Sequence, residues 1–139
     1  MRALRASGWD VVGVARRGDR LAALEEQTGA TAFAADLTQA ADVEALTAFL
    51  AGSGPVHALV QVAGGARGTE RVEDGDPADW QWMFEVNVLA AQRIVRALLP
   101  LLRKAAASDG HADTVFLTST AAQLAYPGGG GYNAAKAGE

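Results

Sequence analysis

No cysteine occurs in these 139 residues, so disulfides and thiolate metal sites are excluded. Histidine is scarce, with two. Neither His57 nor His111 has a partner at metal-ligand spacing, so no metal site is expected. No apolar run approaches a membrane span, and the opening stretch MRALRASGWD lacks the apolar segment of a signal peptide. Positive charge is in deficit: 12 Lys and Arg against 16 Asp and Glu leave a net charge of −4, which argues against a nucleic-acid partner. The cytoplasm is the default compartment that these absences leave open.

What is present suits one tightly packed domain over residues 1–139. Half of the chain is apolar and 16 residues are glycine, enough to build a sizeable core. Four short runs read as strands: VVGVA (11–15), TAFAA (31–35), VHALVQV (56–62) and TVFLT (114–118). They are continuously apolar rather than alternating, as strands buried on both faces are. Helical segments lie between them. Asp19 and Thr38 are candidate N-caps, with Gly29 and Gly52 as the matching stop signals. Asp76 followed by Pro77 is a cap and a favoured first helical residue. The helix they open should run to about Ala107, kinked at Pro100. RALRASG reads as the end of another helix. Strand and helix in alternation imply right-handed crossovers and an α/β fold with a doubly wound parallel sheet.

In such sheets ligands bind beyond the carboxyl ends of the strands. The residues found there are Arg16 and Arg17, then Asp36, then Ala63, Gly64 and Gly65, then Ser119, with Tyr132 and Lys136 shortly after. Tyr132 and Lys136 are four apart, so a helix presents both on one face. A free phenol, with a pKa of about 10, is a poor base at neutral pH. A nearby ammonium favours the phenolate and makes the phenol a usable acid or base toward an alcohol or carbonyl oxygen. Ser119, thirteen residues upstream, could hydrogen-bond the same oxygen. Asn87 is a polar residue among apolar neighbours in EVNVLAAQ; a buried amide there needs partners, and an ordered water is one of them.

Taken together, YNAAK, Ser119 in FLTSTAA, Asn87 in NVLAAQ, the DLT turn at Asp36 and Leu37, and QVAG at Gln61–Gly64 resemble the short-chain dehydrogenase/reductase family. The likeness runs in order along essentially the whole chain. It implies a Rossmann-like fold and hydride transfer between a nicotinamide cofactor and an alcohol or ketone. Tyr132 would be the acid/base. Lys136 would lower the pKa of Tyr132 and bind the nicotinamide ribose. Ser119 would orient the substrate oxygen, and Asn87 would hold a relay water. The turn at Asp36 and Leu37 would approach the adenine, and Gln61, Ala63 and Gly64 would border the cofactor. Arginines at the position of Arg16 and Arg17 accommodate the 2′-phosphate of NADP, where an acidic residue would select NAD; NADP is therefore favoured.

Three features depart from the family pattern. QVAG has Val62 where the family has a polar Asn. The family's first strand, with its Gly-rich turn, has no match here. Nothing after Glu139 matches the family's later strands and substrate segment. The sheet is therefore expected to be incomplete: without a central strand, VVGVA and VHALVQV either pair anew or leave open edges. The polypeptide expressed alone is expected to be poorly stable and inactive, with a homo-oligomer reserved for a longer parent. A second reading is a non-catalytic or dimerising remnant that uses Met83, Val86, Ile94, Leu98 and Leu102 for helix packing. Simpler roles also stand: a surface pair for Tyr132 and Lys136, solvated charges at Arg16 and Arg17, turn starts at Asp36 and Ser119, and a satisfied core amide at Asn87. Trp80 and Trp82 read as packing residues, and Gly128–Gly131 as a flexible loop.

Overall fold

The computed structural model describes residues 1–139. Four strands form: β1 (Val12–Ala15), β2 (Thr31–Ala34) and β3 (Ala58–Gln61) lie inside runs read as strands, and β4 (Asp113–Phe116) begins one residue before its run and ends two residues short of it. The helices are α1 (Arg2–Ala6), α2 (Gly18–Thr28), α3 (Ala40–Ser53), α4 (Pro77–Phe84), α5 (Ala90–Asp109) and α6 (Gly130–Gly138). One π-helical turn, Glu85–Leu89, joins α4 to α5.

The strands make two separate parallel pairs. β1 runs beside β2, with Val14 opposite Phe33, and β3 runs beside β4, with Val60 opposite Val115. β1 and β3 do not pair. Of the two outcomes left open by the sequence, the edges remain. In or next to the second pair, Val60, Val115, Phe116 and Leu117 are all exposed.

A shared helical layer holds the two pairs together. Val43 and Leu46 of α3 and Ile94, Leu98 and Leu102 of α5 form the buried core, against which Val14, Phe33 and Leu59 pack. The last three belong to β1, β2 and β3, so one core spans the break between the pairs. Ile94, Leu98 and Leu102 fall at i, i+4 and i+8 on α5, one stripe of a helix. Of the residues offered above for a dimerising remnant, Ile94, Leu98 and Leu102 are spent in this core and Met83 is buried, while Val86 is half-buried.

Several local expectations are corrected. Arg17, not Asp19, precedes α2, and Asp19 falls in the first turn, where its charge still opposes the positive end of the helix dipole. Thr38 does not cap α3, because its hydroxyl is bonded to Asp36 Oδ1 at 2.8 Å; Gln39 holds the N-cap position. Gly52 lies inside α3, which ends at Ser53 with Gly54 in the C-cap position. α5 runs unbroken through Pro100, and the long helix changes its winding at Glu85–Leu89 instead. His57 lies just before β3, with Nε2 2.8 Å from Asp109 Oδ2. By contrast, Gly29 ends α2 at φ +65°, and the Asp76 side chain accepts from the Ala78 N–H at the start of α4, as the residue types dictate.

Gly128–Gly131 is a packed segment rather than a flexible loop. A Cβ on Gly131 would strike Met83 and stand 3.1 Å from the Trp80 ring; one on Gly130 would stand 3.0 Å from the same ring; and one on Gly128 would meet the Thr69 carbonyl. Glycine lets the start of α6 press against α4.

Candidate active site

The site is built where β3 and β4 end and α6 begins. Asn87 is fully buried. Its Nδ2 donates to the carbonyls of Gly65 and Met83, both at 2.8 Å, and its Oδ1 accepts from the Gly65 N–H at 3.2 Å. An amide has two donor hydrogens, and both are used. The bond to Met83 lies within the helix, beside the π-helical turn, a type of irregularity that recurs at functional sites. Asn87 is therefore a satisfied core amide that pins the turn after β3 to the long helix.

Gly64 brings three of the sequence candidates together. A Cβ on Gly64 would stand 2.5 Å from Asn87 Oδ1 and 3.4 Å from Lys136 Nζ. The Lys136 side chain is only 6 % exposed; its ammonium donates to Glu139 Oε2 at 2.5 Å and to the Leu117 carbonyl at 3.5 Å. A buried charge needs such partners. Neither bond goes to Tyr132. The lysine instead links α6 to the end of β4, two residues before Ser119.

Ser119 precedes a short 3₁₀ turn, Thr120–Ala122, and its Oγ accepts from the Ala121 N–H at 3.2 Å. That bond uses an oxygen lone pair and leaves the hydroxyl hydrogen free to donate. Tyr132, half-buried in the first turn of α6, lines a hollow with Arg67, Asp79 and Trp80. The Arg67 guanidinium lies 4.0 Å from the Trp82 ring centre, a cation–π contact. Gln61 is buried and donates back to the Ala63 carbonyl at 3.1 Å. Val62 and Ala63 are exposed beside it.

The second group sits beyond the first strand pair. Asp36 Oδ1 accepts from the Thr38 N–H at 3.0 Å and from its hydroxyl at 2.8 Å. The Thr38 N–H first, then its hydroxyl, hold the Asp36 carboxyl below its ordinary value, and Arg16 adds to this against the opposing effect of burial. Leu37 is fixed through its carbonyl, which accepts from Arg93 Nη1 at 3.0 Å. Arg16 and Arg17 are exposed.

Two positioning residues escaped the sequence reading. Arg93 bridges Leu37 and Glu85, 3.0 Å from an oxygen of each. Asn133 donates from Nδ2 to the Ala121 carbonyl at 2.7 Å and to the Leu124 carbonyl at 3.1 Å. The available signal was slight: a charge on the polar side of an amphipathic helix, and an amide directly after the tyrosine.

Parallel strand pairs alternating with helices and packed on α3 and α5 are the α/β arrangement of a Rossmann-like fold. The family model for short chain dehydrogenases matches residues 1–139, and the chain belongs to that family. It is 48 % identical over 135 residues to an uncharacterized oxidoreductase of Mycobacterium tuberculosis, covering 97 % of this chain and 51 % of that protein. It is 36 % identical to the serine 3-dehydrogenase of Agrobacterium fabrum, covering 94 % and 51 %, and 31 % identical to a probable NADP-dependent dehydrogenase of Haemophilus influenzae, covering 94 % and 52 %. Among solved structures, serine dehydrogenase from Escherichia coli superposes with a TM-score of 0.87 at 29 % identity, over 98 % of this chain and 62 % of that one. A closed serine dehydrogenase complexed with NADP+ superposes with a TM-score of 0.84 at 29 % identity, over 98 % and 54 %. The chain spans about half the length of the curated relatives it matches. No helix is long and apolar enough to cross a membrane.

Proposed function

We propose that these residues form the catalytic half of an NADP-dependent oxidoreductase that interconverts an alcohol and a ketone or aldehyde. The observation that carries this reading is the Lys136 ammonium, buried four residues after Tyr132 and set against Gly64 and Asn87. A surface pair has no cause to bury its charge among strand-end residues.

The residues present fit a nicotinamide cofactor. Gly64 offers bare backbone beside an ammonium, and the exposed guanidinium groups of Arg16 and Arg17 stand beyond β1, where a 2′-phosphate would be met in this fold. Relatives named for NADP support the same choice. Lys136 and Gly64 would hold the nicotinamide end, and Arg16 and Arg17 the phosphate end. Asp36, Leu37, Gln61 and Ala63 would border the adenosine and the span between. When bound, the cofactor supplies or takes up hydride.

The chain's residues handle the proton. Ser119 donates its free hydroxyl hydrogen to the substrate oxygen and fixes that oxygen's position. In the reducing direction Tyr132 gives its phenolic proton to that oxygen as hydride reaches the carbon; in oxidation the phenolate takes the proton back. Lys136, held by Glu139 and the Leu117 carbonyl, fixes α6 against the end of β4. Asn87 holds the Gly64–Gly65 turn, and its remaining Oδ1 lone pair is the place for a relay water. Small-molecule alcohols and carbonyls are the substrate class.

The cofactor choice is tested by titrating NADPH and NADH into the protein and its Arg16→Ala/Arg17→Ala variant. Loss of two charge-assisted phosphate contacts should weaken NADPH by roughly 10- to 100-fold and NADH by much less. Equal weakening of both would remove the 2′-phosphate assignment.

A further inference from the structure

Asn133 joins the helix that carries Tyr132 to the segment that follows Ser119. It follows Tyr132 directly on α6, yet its side chain reaches out of the helix. Nδ2 donates to the Ala121 carbonyl at 2.7 Å and the Leu124 carbonyl at 3.1 Å. Ala121 lies in the turn that Ser119 opens and donates to Ser119 Oγ, and Leu124 follows that turn by two residues. One amide therefore connects the helix of the phenol to the turn of the hydroxyl.

The fit is tight on the other side. The Asn133 N–H donates to the Gly129 carbonyl at 2.7 Å. Its Oδ1 is buried without a hydrogen-bond partner and lies over Gly129, where any Cβ would collide with it. Turning the amide over would aim an oxygen at two carbonyls, so the orientation is fixed by its neighbours. A buried acceptor without a partner carries a cost, offset here by two donations to the segment after Ser119.

We infer that Asn133 is a positioning residue that sets the Ser119 hydroxyl against the Tyr132 phenol. The inference rests on the functional reading above for its catalytic consequence, but its structural half stands apart from it. It touches neither substrate nor cofactor in this role; it acts through Ser119.

The test has two arms. In the first, hydrogen exchange is followed in the protein as its gene encodes it and in its Asn133→Ala and Asn133→Asp variants. Exchange at Ala121–Leu124 should rise roughly 10-fold in the alanine variant and further in the aspartate variant, which presents oxygen to the two carbonyls, while the amides of α5 stay protected. The aspartate variant is nearly isosteric and serves if alanine loosens the whole chain. Unchanged exchange at 121–124, or an equal rise throughout, would overturn the inference. In the second arm, carbonyl reduction is measured for the protein as its gene encodes it. Asn133→Ala should lower kcat roughly 10-fold with little change in KM for the cofactor, and should lower it no further when Ser119 is already Ala. Equal losses in both backgrounds would mean a structural role only and would sink the proposal. Absence of turnover in the unaltered protein would count against the functional reading, and the exchange arm would still decide the tether.

Discussion

Gly64 and Asn87 touch so closely that a single added carbon would stand 2.5 Å from the amide oxygen. Through this contact the turn after β3, the π-helical turn and the Lys136 ammonium become one unit. The site is therefore held by backbone as much as by side chains.

Substituting Gly64 tests that unit. Gly64→Ala forces its new methyl into Asn87 Oδ1, and overpacking of this kind costs about 1–3 kcal/mol. Urea unfolding should show the loss, and nicotinamide binding should weaken with it. An unchanged midpoint would mean that the contact yields freely.

Asn87→Ala should be the more damaging change. It strips partners from the Gly65 N–H and from the carbonyls of Gly65 and Met83. Buried backbone groups left without partners make a loss of about 3 kcal/mol the expected outcome. Asn87→Asp, which keeps the acceptor and loses both donors, should not rescue it.

The Asp36 carboxyl gives stability a pH dependence of known sign. Its folded pKa lies below the ordinary 3.8 because of the Thr38 bonds and Arg16. The contribution is present above the unfolded value and is lost as pH falls through the folded one. Near neutrality the protein should exceed its Asp36→Asn variant by roughly 1 kcal/mol. That gap should close in acid, below the ordinary carboxyl range. A gap independent of pH would show that charge has no part in it.

How much of this could be read beforehand follows from the range of the forces involved. Asp76–Pro77 and Gly29 were legible because a cap and a left-handed turn are local chemistry. The strands were legible from their continuous apolar runs, and the gap between the strand pairs from the missing central strand. Thr38 was misread because its hydroxyl had a nearer acceptor in Asp36. Gly128–Gly131 was misread because its purpose lies in Trp80 and Met83, some fifty residues away in sequence. Order and spacing marked Tyr132, Lys136, Ser119 and Asn87 as candidates, but their bonding was not legible: Lys136 pairs with Glu139, and Asn133 ties α6 to the segment after Ser119.

The account stands or falls on Tyr132 as the proton carrier. The direct measurement is the pH profile of NADPH-dependent carbonyl reduction by the protein as its gene encodes it, compared with Tyr132→Phe and Lys136→Ala. The account predicts that Tyr132→Phe lowers kcat by roughly 100- to 10,000-fold across the profile while NADPH binding holds, and that Lys136→Ala weakens NADPH binding. A Tyr132→Phe enzyme with undiminished kcat and an unaltered profile would contradict it.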